Sequence, residues 1–239
     1  MDTIQYCPKC DTRFDPPREL RSECPKCGIW FHKWNAPPPI ATVVTVDPIE
    51  LAADIPSTGD SLAFWGRAIA LAVMCTWGVF IAAADFRVPP QRFDPMHAIV
   101  LPIHEAGHVF FMFFGEFLHV AGGSIFQVGF FFGIGVFLLL KRRDPFAAAV
   151  FLWFSGASLV DLSVYIYDAW EPKLILLGGH TGEYGQHDWV DILDHFNALR
   201  RAQPLGVAVH HFGVLTMIAA AAWGATVLRK TAGRRRRTE

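Results

Sequence analysis

The chain has 239 residues, of which 52% are hydrophobic and 18% charged, and its mean hydropathy is +0.30. This composition excludes an ordinary soluble domain and indicates a membrane protein. The formal net charge of −1 excludes no class of partner, because the charged residues are segregated. They concentrate in residues 1–60 and in a basic tail, residues 229–239, so their placement carries more information than their sum.

Residues 1–34 contain four of the five cysteines, in two Cys-Pro-Lys-Cys turns. Each turn presents two thiolates, and four thiolates complete the tetrahedral coordination of zinc. We therefore predict a small zinc ribbon whose ligands are Cys7, Cys10, Cys24 and Cys27, with two disulfides as the alternative. Basic residues alternate with acidic ones in this segment, so we expect it to recognise protein rather than nucleic acid.

A proline-rich linker is predicted at residues 35–61, where helical periodicity is lacking. Five apolar segments follow, at about 62–84, 97–118, 124–140, 146–167 and 206–228. Each approaches the ~20 residues that a helix needs to cross a bilayer, and the third is the shortest. The sequence predicts an all-α polytopic membrane protein with four to five transmembrane helices in a membrane domain, residues 62–228. The small ribbon precedes it.

Basic residues in short loops predict the orientation of this domain. The basic cluster 141–143 and the tail 229–239 are expected in the cytoplasm, which places the polar stretch 168–205 outside. Residues 188–201 of that stretch have the apolar spacing of an amphipathic helix. Three full crossings before Lys141 would put the ribbon outside, where thiols oxidise. We therefore expect a re-entrant segment, at the glycine-containing region 115–133.

His104, Glu105 and His108 form a His-Glu-x-x-His motif within the second apolar segment. Residues four apart share one face of a helix, so the two imidazoles can bind one zinc ion while the glutamate reaches a water molecule on it. A charged side chain near the middle of a bilayer costs roughly 2.5 to 3.5 kcal/mol or more. This cost favours a metal site over the alternative, a histidine and a glutamate that satisfy each other between helices.

A catalytic zinc site needs a third protein ligand. His97 and Glu116 lie too far along the chain from the motif if its helix is continuous. The remaining candidates lie in the fourth segment, the outer loop and the fifth segment: Asp161, Asp168, His180, His187, Asp188, His210 and His211.

The "HEAGH" helix, the Gly-Gly pair after it and a later helix with an aspartate resemble the site-two-protease class of intramembrane zinc metalloproteases. The aspartate helix of that class best matches "SLVDLSVYIYDA", which assigns Asp168 as the third ligand. Ser158, Val164 and Ala169 stand where the class has Asn, Pro and Gly.

A second resemblance covers residues 97–196. The blocks "HEAGHVFF", "FGEFL", "GGSIFQ", "VYIYDA" and "HDW" together resemble a group of small bacterial membrane proteins with an N-terminal zinc ribbon. This resemblance implies that His187 and Asp188 belong to the functional site, with His187 as the alternative third ligand. It also implies a location in the bacterial inner membrane.

The first resemblance implies hydrolysis of peptide bonds in a membrane-associated protein or peptide. The expected cofactors are one catalytic zinc ion and one structural zinc ion in the ribbon. Glu105 would act as the general base, and His187 or His210 would steady the oxyanion. Two other functions remain open: a non-enzymatic metal-binding scaffold or sensor, and a haem protein with His108 and His211 as axial ligands.

Overall fold

The computed structural model describes residues 3–33, 61–85, 87, 95–177, 179–183 and 186–235. The chain forms two compact units, Met1–Val46 and Asp47–Glu239. The predicted linker lies outside the described residues except for Ser61, which begins the first helix. The end of the basic tail, residues 236–239, also lies outside them.

The first unit is built on a two-stranded antiparallel sheet. Strand β1, Thr3–Tyr6, pairs with strand β2, Arg13–Glu19. Its small core consists of buried cysteines and phenylalanines: Cys7, Phe14, Cys24 and Phe31. Few apolar side chains are available to this unit, so a metal ion at the cysteines would supply much of its stability.

The second unit is helical. Its helices are α1 (Ser61–Ala83), α2 (Pro95–Phe111), α3 (Glu116–Leu140), α4 (Pro145–Asp168), α5 (Asp188–His195) and α6 (Ala202–Arg235). All except the short α5 contribute to five stretches long and apolar enough to cross a membrane. This confirms the prediction of a largely helical protein with five apolar helices. α5 covers the first part of the predicted amphipathic helix, and α6 begins a few residues before the predicted fifth segment.

Helix α4 lies at the centre of the second unit. Its N-terminus is capped by Asp144, whose carboxylate accepts hydrogen bonds from the backbone N–H groups of Phe146 and Ala147, and Pro145 occupies the first turn. Buried residues on α4, Trp153 among them, pack in the main core with side chains of α1, α2, α3 and α6.

Helix directions follow from the contacts. α3 and α6 run antiparallel to α4, whereas α1 runs parallel to it, because Arg67 near the start of α1 lies 3.4 Å from Asp144. α2 and α3 form an antiparallel pair, so α2 also runs parallel to α4. The successive helices α1 and α2 therefore point in the same direction. Three full crossings before Lys141 would instead have placed the start of α1 at the opposite end from Asp144.

The region predicted to be re-entrant, residues 115–133, is helical. After Gly115 the chain continues as one uninterrupted helix, α3, which also contains the doubtful third segment. Its glycines do not break the helix, because two of them serve close approach: Gly122 faces the backbone of α2, and Gly123 faces two histidines. The unusual element is α2, whose first turn contacts α4 at Asp161, about 10 Å before the end of α4.

Candidate metal centre

The candidate site lies where α2 and α3 cross closely. A side-chain carbon at Gly107 would collide with the Gly122 carbonyl oxygen, and one at Gly122 would lie 2.9 Å from the Gly107 carbonyl oxygen. Only glycine allows two helix backbones to come this near. The crossing brings the histidine face of α2 against α3, with His104 buried and His108 half-buried.

Three side chains converge at this crossing. The Nε2 atoms of His104 and His108 lie 2.9 and 3.2 Å from Oδ2 of Asp188, the first residue of α5. One ligand-type atom of each residue lies within 4.8 Å of those of the other two. The structure thus joins both histidines of the motif to a carboxylate from the polar loop 168–205, in a group that could hold a metal ion.

Each histidine is held through its other ring nitrogen. His104 Nδ1–H donates to Oε1 of Gln127 at 2.9 Å, and His108 Nδ1–H donates to the carbonyl oxygen of His119 at 2.8 Å. The contact of His119 is reciprocal, since its own Nδ1–H donates to the His108 carbonyl oxygen at 2.9 Å. Hydrogen bonds of this kind fix the ring orientation, so both histidines are arranged to bind through Nε2.

Asp188 is held from the side of α4. Its backbone N–H donates to the Tyr165 hydroxyl oxygen at 3.0 Å. The His187 ring packs on the Tyr165 ring with centroids 4.2 Å apart, and His187 Nδ1 accepts from the Val190 N–H at 3.4 Å. His187 Nε2 faces Asp168 Oδ2, also at 3.4 Å. His187 therefore caps α5 and joins it to α4.

Trp189 joins the same helix to α3. Its indole Nε1–H donates to Ser124 Oγ at 3.1 Å. The consecutive residues His187, Asp188 and Trp189 thus contact α4, α2 and α3 in turn.

Asp188 is held in its anionic form. Burial alone would raise the pKa of its carboxyl group, but hydrogen bonds from protons on Nε2 of His104 and His108 bring that pKa from 3.8 down to about 2. A metal ion that took the place of these protons would favour the carboxylate in the same way. The deprotonated carboxylate is the form that binds a metal ion.

Two of the three separations suit zinc. With zinc–ligand distances of ~2.0–2.2 Å, tetrahedral ligand atoms lie about 3.3 Å apart, close to the 2.9 and 3.2 Å from Asp188 to the histidines. A side-chain carbon built at Gly123 would lie 2.5 Å from Nε2 of His104 and 2.6 Å from Nε2 of His108. Because Gly123 has no side chain, there is space beside the two histidine nitrogens that would bind the metal ion. Three protein ligands with a fourth position for water is the pattern of catalytic zinc sites.

Asp168, predicted as the third ligand, does not join this group. Its Oδ1 accepts hydrogen bonds from the backbone N–H groups of Lys173 and Leu174 at 2.9 and 3.2 Å. Asp168 is the last residue of α4, and its carboxylate there satisfies the donors of the following turn. Asp188 occupies the place that the resemblance assigned to Asp168. His187, the alternative ligand, is buried beside the group and faces Asp168.

Glu105 lies on the exposed side of α2, next to the histidines. It forms no hydrogen bond or ion pair with any part of the chain that the structure describes. The other candidates are outside the three-residue group: Asp161, His180, His210 and His211. Sequence reasoning did not single out Gln127, His119 or Tyr165. Gln127 and Tyr165 lie in the blocks "GGSIFQ" and "VYIYDA" that carry the second resemblance, and a polar residue in an apolar helix was the available signal.

The four ribbon cysteines form a second group that could hold a metal ion. The sulfur atoms of Cys7 and Cys27 are 3.6 Å apart, and those of Cys10 and Cys24 are 3.8 Å apart. Tetrahedral zinc with bonds of ~2.3 Å requires sulfur atoms about 3.8 Å apart, whereas a disulfide requires about 2.05 Å. Side-chain and backbone hydrogen bonds with Thr12 lower the pKa of Cys10 to about 6, which favours the thiolate.

Comparisons of the chain with protein-family models, with curated proteins and with solved structures give no match. A functional assignment therefore depends on the chemistry of the two residue groups and on the motif resemblance.

Proposed function

We propose that this protein is an intramembrane zinc metallopeptidase that hydrolyses a peptide bond of a membrane-associated protein. The observation that carries the proposal is the convergence of His104 Nε2, His108 Nε2 and the Asp188 carboxylate on one point. A His-Glu-x-x-His helix supplies two of these three ligands, as it does in zinc peptidases.

Zinc held by these ligands would supply a Lewis acid that polarises a carbonyl group and acidifies a water molecule. Glu105 accepts the proton of the attacking water and delivers it to the leaving amine. Its side chain suits this role, because it follows a metal ligand directly and has no described partner that would occupy its oxygens.

Tyr165 is the best-placed donor for the oxyanion. Its hydroxyl oxygen already accepts from the Asp188 N–H, so its own proton is available to a substrate oxygen. The Tyr165 ring lies 6.1 Å from the His104 ring, centroid to centroid. Of the two donors suggested by the sequence, His187 is covered by the Tyr165 ring and engaged with Asp168, while His210 belongs to α6. A donor of this kind stabilises the transition state rather than the ground state.

The substrate we propose is a membrane-spanning or membrane-bound segment. The histidine ligands and Glu105 lie within a helix that is long and apolar enough to cross a membrane, while Asp188 comes from the polar outer loop. A site of this composition lies near a membrane surface and can receive both water and an apolar chain. We place the protein in a bacterial inner membrane, as the second resemblance implies, with its tail in the cytoplasm, as the basic residues 141–143 and the basic tail 229–239 indicate.

The test compares wild type with Glu105→Gln on a panel of peptides that carry transmembrane segments, in detergent and in lipid nanodiscs. Glu116→Gln is the matched control, because it makes the same chemical change on the exposed first turn of α3, outside the site. We expect Glu105→Gln to keep its metal and lose cleavage by at least about 100-fold, the usual contribution of a general base.

Equal cleavage by wild type and Glu105→Gln would overturn the peptidase proposal. If no protein cleaves any peptide while the metal content is full, the non-enzymatic scaffold or sensor becomes the better interpretation.

A further inference from the structure

A chain of polar side chains leads away from the candidate metal centre and crosses three helices; it is buried at Gln127 and ends at the exposed His97. Gln127 on α3 is 2% exposed and accepts from His104 Nδ1–H through Oε1. Its Nε2 donates to Asp161 Oδ2 at 3.1 Å and to the Ser158 carbonyl oxygen at 3.4 Å, both on α4. The other oxygen of Asp161 accepts from His97 Nδ1–H at 3.0 Å, in the first turn of α2.

The orientation of the Gln127 amide follows from its neighbours. On the side of α4 it meets a carboxylate and a carbonyl oxygen, which both require a donor. An amide turned the other way would place its oxygen against these two acceptors. The NH₂ group therefore faces Asp161 and Ser158, and Oε1 faces His104.

The side chain of Ser158 also holds the backbone of Gln127. Its Oγ–H donates to the Gln127 carbonyl oxygen at 3.3 Å, and Ser158 is fully buried. Gln127 is thus bound to α4 through three hydrogen bonds, so its side chain cannot easily follow a movement of the histidine.

We propose that Gln127 is a positioning residue that sets the tautomer of His104, and that Asp161, held by His97, fixes Gln127 for this task. With only an acceptor opposite Nδ1, the Nδ1 atom must carry the proton. The lone pair then resides on Nε2, which faces the ligand position shared with His108 and Asp188. This inference rests on the proposed metal site, but it does not depend on peptidase activity.

The alternative is that the chain only joins the helices. Hydrogen bonds between side chains stabilise helix packing in membranes by about 0.6 kcal/mol on average, so that role alone is modest. The two roles can be distinguished by the ligand field of the bound metal ion. Removing a hydrogen bond that only joined the helices would leave the bound ion unchanged, provided that the protein still folds.

The experiment uses the full chain in detergent, with cobalt(II) as the probe and a competing chelator to measure affinity. The ribbon takes one equivalent with thiolate ligands, so the second equivalent reports the histidine site. Gln127→Leu removes the acceptor opposite His104 Nδ1. The matched control is Ser155→Ala, which removes a buried hydroxyl group that has no hydrogen-bond partner in the described structure.

We expect Gln127→Leu to weaken the second cobalt equivalent by about 10 to 100-fold and to change its visible spectrum, as other losses of hydrogen bonds to metal ligands do. Ser155→Ala should stay within about threefold of wild type. Asp161→Asn allows the Gln127 amide to turn over, so it should cause a smaller loss of cobalt affinity. This variant serves as the test if Gln127→Leu does not fold.

Wild-type affinity and spectrum in folded Gln127→Leu, or a loss of equal size in Ser155→Ala, would overturn the role of Gln127. If wild type binds only one equivalent of cobalt, at the ribbon, the histidine site itself is wrong and the peptidase proposal falls with it. If the site binds cobalt and cleavage is absent, only the proposed function fails.

Discussion

Replacing Gly123 with alanine tests the metal centre without altering any ligand. The new methyl carbon would lie 2.5 Å from Nε2 of His104 and 2.6 Å from Nε2 of His108. Ordinary van der Waals contact begins at 3.4 Å, so both nitrogens would have to retreat by about 0.8 to 0.9 Å. The rings resist this movement, because Gln127 and the His119 carbonyl oxygen hold them through Nδ1.

Zinc sites tolerate changes of only about 0.2 Å in their bond lengths. We therefore expect Gly123→Ala to weaken metal binding at the histidine site by at least about 100-fold, the upper end of the loss caused by removing a supporting bond. The assay is competition with a chromophoric chelator on the purified full chain, whose ribbon should keep its ion in every variant.

Gly129→Ala is the matched control on the same helix. A side-chain carbon at Gly129 would meet nothing within 4 Å, so both variants change the intrinsic helix propensity alike and differ only in the contact with the histidines. Metal affinity at the wild-type level in folded Gly123→Ala would refute binding through the two Nε2 atoms. A loss of equal size in Gly129→Ala would show that the effect comes from the helix rather than from the site.

Two further predictions concern the third ligand and the oxyanion donor. Asp188→Asn should lose one of two zinc equivalents, whereas Asp168→Asn should keep both; elemental analysis of the purified variants decides, and the reverse pattern would restore Asp168 as the ligand. Tyr165→Phe should keep its metal and cleave at least about 100-fold more slowly with an unchanged KM, since the donated bond forms in the transition state. Steady-state kinetics and a metal assay check this prediction. Loss of zinc in Tyr165→Phe would show that Tyr165 acts only by holding Asp188.

The helices of this protein could be predicted because the length of an apolar run largely decides whether it forms a membrane helix. The directions of the helices could not be predicted. That α1 and α2 are parallel follows from particular contacts, the pairing of Arg67 with Asp144 and the crossing of Gly107 with Gly122. The glycines at residues 115–133 led to a wrong prediction, because in the sequence they indicate irregular backbone. In α3 the glycines instead allow the approach of neighbouring groups.

Two of the three residues of the candidate metal centre could be predicted from local spacing. His104 and His108 lie four residues apart, and helix geometry alone places them on one face. Asp188 is far from the two histidines in sequence. Whether its carboxylate reaches them depends on how the polar loop 168–205 packs against the helices. The "HDW" block drew attention to this loop, but an aspartate at the end of an apolar helix and one in a polar loop are equally plausible ligands before docking is known. The hydrogen bonds of Asp168 to the turn after α4, and the position of Asp188 beside both histidines, favour Asp188.

The docking of α5 also explains why three unlike residues occur consecutively at positions 187 to 189. A helix of eight residues is too short to be stable on its own in water, so α5 depends on its attachments. His187 binds the α4 side, Trp189 binds α3, and Asp188 between them reaches the histidines of α2. Losing either flanking contact would therefore move the third ligand, although neither flanking residue belongs to the three-residue group. The three-residue group is complete only while the polar loop 168–205 lies against the helix pair, and an ion bound there would in turn hold that loop in place.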